Sequence, residues 1–243
     1  MNNFNRGGGL QDFTFAQPVS KVEVRPLLRL VYLWMMFGLL TTAAVAWWVG
    51  SSQERIISIA QYWTVLFFVE LGIGLALSWG LPRMSPTVAG ALFFVYSAIN
   101  GLFFGVIIAA MVYNGQTGAV ASAFLTAAGL FGSMTVLGFV TKVDLSKFRT
   151  FFMMAVLGLF IAIIINMFLG SSAMDFVISI AGVLIFTALT AFRTQQIKEL
   201  ANLPQYRQYG SETTKLAIFG AFILYLAFIN LFYFLLRLYS GRR

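Results

Sequence analysis

The stretch FFMMAVLGLFIAIIINMFL, Phe151–Leu169, runs for nineteen residues without a charge, and Asn166 is its one strongly polar side chain. As a helix rising about 1.5 Å per residue it spans roughly 28 Å, close to the ~30 Å hydrocarbon core of a bilayer. Six further stretches of the same character surround it. The spans are placed at Leu30–Gly50, Tyr62–Leu81, Val88–Val112, Gly118–Val140, Phe151–Leu169, Phe176–Phe192 and Leu216–Leu236. The third is long enough to predict a tilt, and the sixth is the shortest, with Arg193 at its end. The whole chain agrees with this local reading. It is 60% apolar and only 10% charged, and a soluble surface cannot be made from that composition. The fold class expected is an all-α integral membrane protein with seven transmembrane helices.

Residues 1–29 are polar and carry Gly7-Gly8-Gly9 and Pro18, with no apolar run of the kind a cleavable signal peptide needs. They are expected to form a flexible cytosolic tail, leaving 30–243 as a single membrane domain. With the amino terminus inside, twelve of the sixteen Lys and Arg fall on the cytosolic side. The remaining four, Arg55, Arg237, Arg242 and Arg243, fall outside. The split predicts a cytosolic amino terminus and an external carboxyl terminus. A re-entrant seventh segment is the alternative, and it would return the last three arginines to the cytosol.

The net charge of +8 lies in short clusters between apolar runs. That is the pattern of topology signals and anionic-lipid contact, so no nucleic acid is expected as a partner. The sequence contains neither His nor Cys, which removes imidazole and thiolate metal sites, disulfides and Ser–His or Cys–His nucleophiles. No Lys lies inside a span, which disfavours a retinal-type pump. No cofactor and no enzymatic activity are expected.

Inside the spans the polar residues are few. Glu70 is the ninth of twenty residues in the second span, near the bilayer midplane, where a charge costs on the order of 3 kcal/mol. It reads either as a proton or cation site or as a protonated carboxyl bonded to a neighbouring helix. Asn100, Asn166 and Asn230 offer cavity-lining groups or, more simply, interhelical hydrogen bonds. Ser97, Gly101 and Gly105 recur every fourth residue, placing small side chains on one face for close helix packing. Arg193 is expected to snorkel to the headgroups. Trp47, Trp48, Tyr62 and Trp79 sit near span ends, as interfacial aromatics do.

Three runs together carry a family resemblance. Val95-Tyr96-Ser97-Ala98-Ile99-Asn100-Gly101 resembles the third-span signature of the Bax inhibitor-1 family. Thr141-Lys142-Val143-Asp144-Leu145-Ser146 resembles its loop between spans four and five. Leu224-Tyr225-Leu226-Ala227-Phe228-Ile229-Asn230-Leu231-Phe232, followed by Leu235-Leu236-Arg237, resembles its seventh-span signature. The resemblance covers about Arg25 to Arg243, and bacterial members are the most similar. It implies six helices around a central seventh, and a pH-sensitive calcium leak in the membrane, here a bacterial inner membrane. Some animal members of the family suppress cell death, and one bacterial branch is linked to a membrane-bound AAA protease.

The resemblance further implies a pH sensor made of two aspartates that share protons, one ending span six and one within span seven, with a basic latch near the end of span two. Those positions here hold Arg193, Ala227 and Leu81, with Arg83 two residues beyond the last. The second-span acid remains as Glu70. A pairing of Glu70 with Arg193 would plug the pore. The expected function is therefore a cation (calcium) leak channel or transporter with diverged pH gating. The alternative is a non-conducting accessory subunit of a membrane complex, such as a protease or an energy-transducing assembly.

Overall fold

A computed structural model describes residues 25–80, 83–203 and 211–241. The helices are α1 (Arg25–Gly50), α2 (Gln53–Gln61), α3 (Trp63–Gly80), α4 (Pro86–Tyr113), α5 (Thr117–Val140), α6 (Arg149–Leu169), α7 (Ser172–Ala201) and α8 (Ser211–Ser240). Among the described residues seven of these, all but α2, are long and apolar enough to cross a membrane. Leu81 and most of residues 1–29 lie outside the described residues.

The helix boundaries have local causes. Ser85 caps α4, its hydroxyl accepting from the Val88 amide at 3.3 Å, with Pro86 supplying a preset φ at the first helical position. Gly170 takes a left-handed φ of 61° to end α6, and Ser171 then caps α7 through the Met174 amide. Asn166 belongs to this corner. Its side-chain oxygen accepts from the Ser171 amide at 3.2 Å, so it closes a turn.

Two expectations are corrected. The sixth span is not short: α7 continues to Ala201, and Arg193 stands well inside it. The helix persists because the residues after Arg193 are buried rather than solvated, Thr194 and Ile197 at 1% exposure and Ala201 at 4%. The connector after the first span is also more than a link. Gln53–Gln61 forms α2, which carries Ile56, Ile57 and Ile59 among polar groups and has no buried residue.

α8 is the most buried of the seven, and its close neighbours are α1, α4, α5 and α7. α3 packs chiefly on α4, and α6 on α7. Among the described residues four of the other six spans thus pack closely on the seventh. Ser97, Gly101 and Gly105 lie on the face of α4 that meets α1. A Cβ on Gly101 would stand 2.7 Å from the Thr42 carbonyl oxygen, and one on Gly105 would stand 2.6 Å from Val49 Cβ. Such backbone approach is possible only where the side chain is a hydrogen. The outer faces of α3, α5 and α6 are apolar and open, Trp79 and Phe168 being about four-fifths exposed, as a lipid-facing belt requires.

Candidate functional site

The close α1–α4 crossing and the buried face of α8 converge on a small polar cluster within the apolar interior. Glu70, half-buried on α3, lies within hydrogen-bonding reach of the Tyr96 hydroxyl and the Asn100 side chain. Tyr96 and Asn100 are four residues apart on α4 and so share a face, and both are buried. Asn100 also donates through Nδ2 to the Tyr96 carbonyl at 3.1 Å. Behind them Tyr225 of α8 is fully buried, its ring edge-on to Tyr96 at 6.1 Å.

The Tyr225 hydroxyl lies 2.7 Å from Thr42 Oγ1 of α1. Thr42 Oγ1 also lies 2.9 Å from the Ser97 carbonyl and 3.1 Å from that of Gly38. Carbonyls only accept, so the single Thr42 proton is committed to them and Tyr225 is the donor to Thr42. The cluster therefore joins α1, α3, α4 and α8 through one carboxyl, one amide and four hydroxyls, counting the Ser97 hydroxyl that donates to the Phe93 carbonyl.

The other sequence-predicted residues lie elsewhere. Asn230 donates to the Leu226 carbonyl of its own helix at 2.8 Å and takes no part in the cluster. Ala227 is buried at 4% exposure among apolar residues. Arg193 donates to Gln196 Oε1 at 2.9 Å and lies over the Phe192 ring. The charged group acting on it is Arg149, and among the described residues Arg193 pairs with no carboxylate. The expected Glu70–Arg193 plug is absent from the described residues because the guanidinium is turned towards Gln196. Phe186 stacks on Phe234, and a Cβ on Gly220 would touch Ile197; that register sets Arg193 within about one helical turn of Ala227. Arg83 is exposed beyond the end of α3.

Three groups of the cluster, Thr42, Tyr96 and Tyr225, were not singled out from the sequence. Hydroxyls on otherwise apolar helices read as packing residues there. The one available signal was the four-residue spacing of Tyr96 and Asn100.

Each end of the bundle is also tied. Gln195 of α7 grips the loop after α5, accepting from the Leu145 amide at 2.7 Å and donating to the Val143 carbonyl at 2.8 Å. In that loop the Ser146 hydroxyl and amide donate to Asp144 and hold its carboxyl below the usual carboxylate range. That contribution to the turn is present at neutral pH and is lost as the pH falls through the lowered value. At the opposite end Asp175 of α7 pairs with Arg237 of α8.

Replacing Glu70 by Gln keeps a hydrogen-bonding group against Tyr96 and Asn100, and the protein is expected to unfold at the wild-type temperature. Glu70→Leu strands those partners and should cost about 1–3 kcal/mol. Thermal unfolding in detergent separates the two. Equal stability of all three proteins would place Glu70 outside the cluster.

The family model described as inhibitor of apoptosis-promoting Bax1 matches residues 24–243. A protein of Deinococcus radiodurans is 39% identical over 96% of this chain and 98% of its own length. The inner membrane protein YbhL of Escherichia coli is 38% identical over 88% of this chain and 90% of its own. A membrane protein of Streptococcus pyogenes is 36% identical over 77% and 80%.

Proposed function

Since this chain belongs to the family of inhibitors of apoptosis-promoting Bax1, we propose that it is a cation leak or transport protein of the bacterial inner membrane, with calcium as the cation and Glu70 as the group through which pH acts. The observation that carries this reading is the position of Glu70 against Tyr96 and Asn100, inside a bundle of otherwise apolar helices. An ionised Glu70 accepts hydrogen bonds from both partners. Once protonated it becomes a donor, and the hydroxyl of Tyr96 or the amide of Asn100 must turn to receive it. One proton therefore rewires contacts between α3 and α4, and the Tyr225–Thr42 bond extends that wiring to α8 and α1.

The chemistry favours passage over capture. Calcium takes about six to eight oxygen ligands when held firmly. Among the described residues no three carboxylates converge. A single carboxylate with hydroxyl and amide oxygens gives a weak, transient site, which a leak needs. Arg193 adds a positive charge within α7, where a divalent cation is repelled, so the flux is expected to be low.

A second reading, a non-conducting accessory subunit of a membrane complex, is favoured by Arg193 and Ala227 standing where the family resemblance places acids. Calcium flux into proteoliposomes of the purified protein tests the two. Flux above that of empty vesicles supports transport. Its absence, together with co-purification of a second membrane protein at fixed stoichiometry, supports the accessory role.

The arrangement across the membrane follows from the charge split, with the amino terminus cytosolic and the carboxyl terminus outside. A reporter active only outside the cytosol, fused after Arg243, should be active. Activity of a cytosolic reporter at the same position would contradict the seven-span orientation.

A further inference from the structure

α1 and α5 each pack on α8 without packing closely on each other. Between them runs a groove of 650 Å³ that opens to the side of the bundle and has Phe228 and Phe232 of α8 as its floor. Its walls are apolar apart from the hydroxyl-bearing Tyr32 and Thr42. Thr42 lines it, and Thr42 is the residue that receives the hydrogen bond of Tyr225. A second cavity of 900 Å³ shares Ala43, Ala46 and Ile108 with the first, so the two adjoin along α1. That second part ends at polar groups, Ser51, Ser52, Gln53 and Asn114, under the edge of α2. Beside them stands Arg55, whose guanidinium donates to Ser51 Oγ at 3.0 Å and lies over the Trp48 ring. Among the described residues no carboxylate pairs with Arg55.

The order of chemistry along the two cavities is that of an amphipathic lipid: an apolar length first, then hydroxyl and amide groups, then a cation. The size agrees. A cavity of about 150 Å³ holds the six carbons of benzene, so at that ratio 650 Å³ takes on the order of two dozen carbons. A transmembrane helix is too large for the groove between α1 and α5, since a 15 Å length about 10 Å across fills roughly 1,200 Å³. The remaining N–H donors of Arg55 suit a phosphate, which a guanidinium can grip through two parallel bonds.

We propose that the two cavities form a phospholipid site, in which one acyl chain lies between α1 and α5 against Thr42 and Phe232, and the lipid phosphate is held by Arg55 at the Ser51–Gln53 end. The chain covers Thr42 from the side and keeps water out of the Thr42–Tyr225 bond. The site stands independently of the transport reading, because binding is measured without flux.

The test uses the full chain in nanodiscs that contain a trace of phospholipid with a photoactivatable diazirine at mid-chain. After illumination, adducts are mapped by peptide mass spectrometry. Labelling of the Met35–Thr42 and Phe228–Phe232 segments is expected to exceed that of the exposed Met167–Phe168 face several-fold, and to fall when unlabelled phospholipid is added. Ala43→Phe with Ala128→Phe fills the groove from its open side and should lower groove labelling several-fold, leaving Met167–Phe168 unchanged. Arg55→Gln should lower groove labelling by the phospholipid and leave labelling by a diazirine fatty acid unaltered. Groove labelling no greater than that of Met167–Phe168 in the wild-type protein overturns the proposal, whether or not the variants fold. So does a groove-mediated crosslink between two copies of the chain, which would make the occupant a helix. Equal labelling by phospholipid in wild type and Arg55→Gln overturns the phosphate assignment.

Discussion

Replacing Gly101 by Leu is expected to destabilise the protein by about 3 kcal/mol or more. The space is already closed at the first carbon, where a Cβ would meet both the Thr42 carbonyl oxygen and Val45 Cβ at 2.7 Å. One of those obstacles is backbone, which cannot rotate aside. Leu therefore forces α1 and α4 apart, and Gly101 lies one turn from Ser97, whose carbonyl receives the Thr42 hydroxyl. The loss should spread from packing to the polar cluster, because Thr42 can then no longer be held for Tyr225. Gly129→Ala in α5 is the control. Nothing lies within 4 Å of its Cβ, so it should be neutral or stabilising by up to about 1 kcal/mol through the gain in helix propensity. Thermal unfolding of both variants in the same detergent checks the contrast. Similar melting of Gly101→Leu and wild type would mean that the two helices do not cross as closely as the structure has them.

Changing Arg193 and Ala227 together to Asp is expected to raise calcium flux and to give it a pH dependence much steeper than that of the unmodified protein. The register of α7 on α8 sets the two positions at levels within about one turn of each other, and two carboxyls that meet there would influence each other's protonation. Ala227→Asp alone should leave the protein closed. The new acid would then lie near the Arg193 guanidinium, which has no carboxylate partner among the described residues, and a pair there adds a link between α7 and α8. Flux assays on the single and double variants in proteoliposomes distinguish these outcomes. A single variant that conducts as well as the double would show that Arg193 plays no part in closure.

Most of the membrane architecture was legible from the chain, because twenty-odd apolar residues without charge have few places to go except a bilayer. The seven spans of the fold follow the apolar runs within a few residues at most ends. The departures have a common cause. α7 runs past Arg193 because Thr194, Gln195 and Ile197 are buried against protein, and a residue's polarity does not reveal whether it faces protein or water. α2 was not legible because a nine-residue helix with three isoleucines carries too little apolar length to register as an element.

The site was legible in part for the same physical reason. Glu70 and Asn100 stand out as polar groups in apolar helices, and the fold brings them together. Asn166 and Asn230 stand out equally, yet one closes a turn and the other bonds to its own helix. Tyr225 and Thr42 are separated by 183 residues, and only the packing of α8 on α1 makes them partners. The side groove was not legible at all, since it is defined by two helices that fail to meet.

The most direct test of the account is calcium flux through the unmodified protein and Glu70→Gln, each reconstituted alone and measured across roughly pH 6 to 8, where a coupled carboxyl pair would respond. Glu70 is the acid of the polar cluster, and the carried-over pair positions hold Arg193, which stays protonated, and Ala227, which cannot titrate. The unmodified protein should show a low flux that is nearly flat with pH, and whatever slope remains should vanish in Glu70→Gln. A steep pH response that survives in Glu70→Gln would contradict the account and place the controlling group outside the cluster of Glu70, Tyr96, Asn100 and Tyr225.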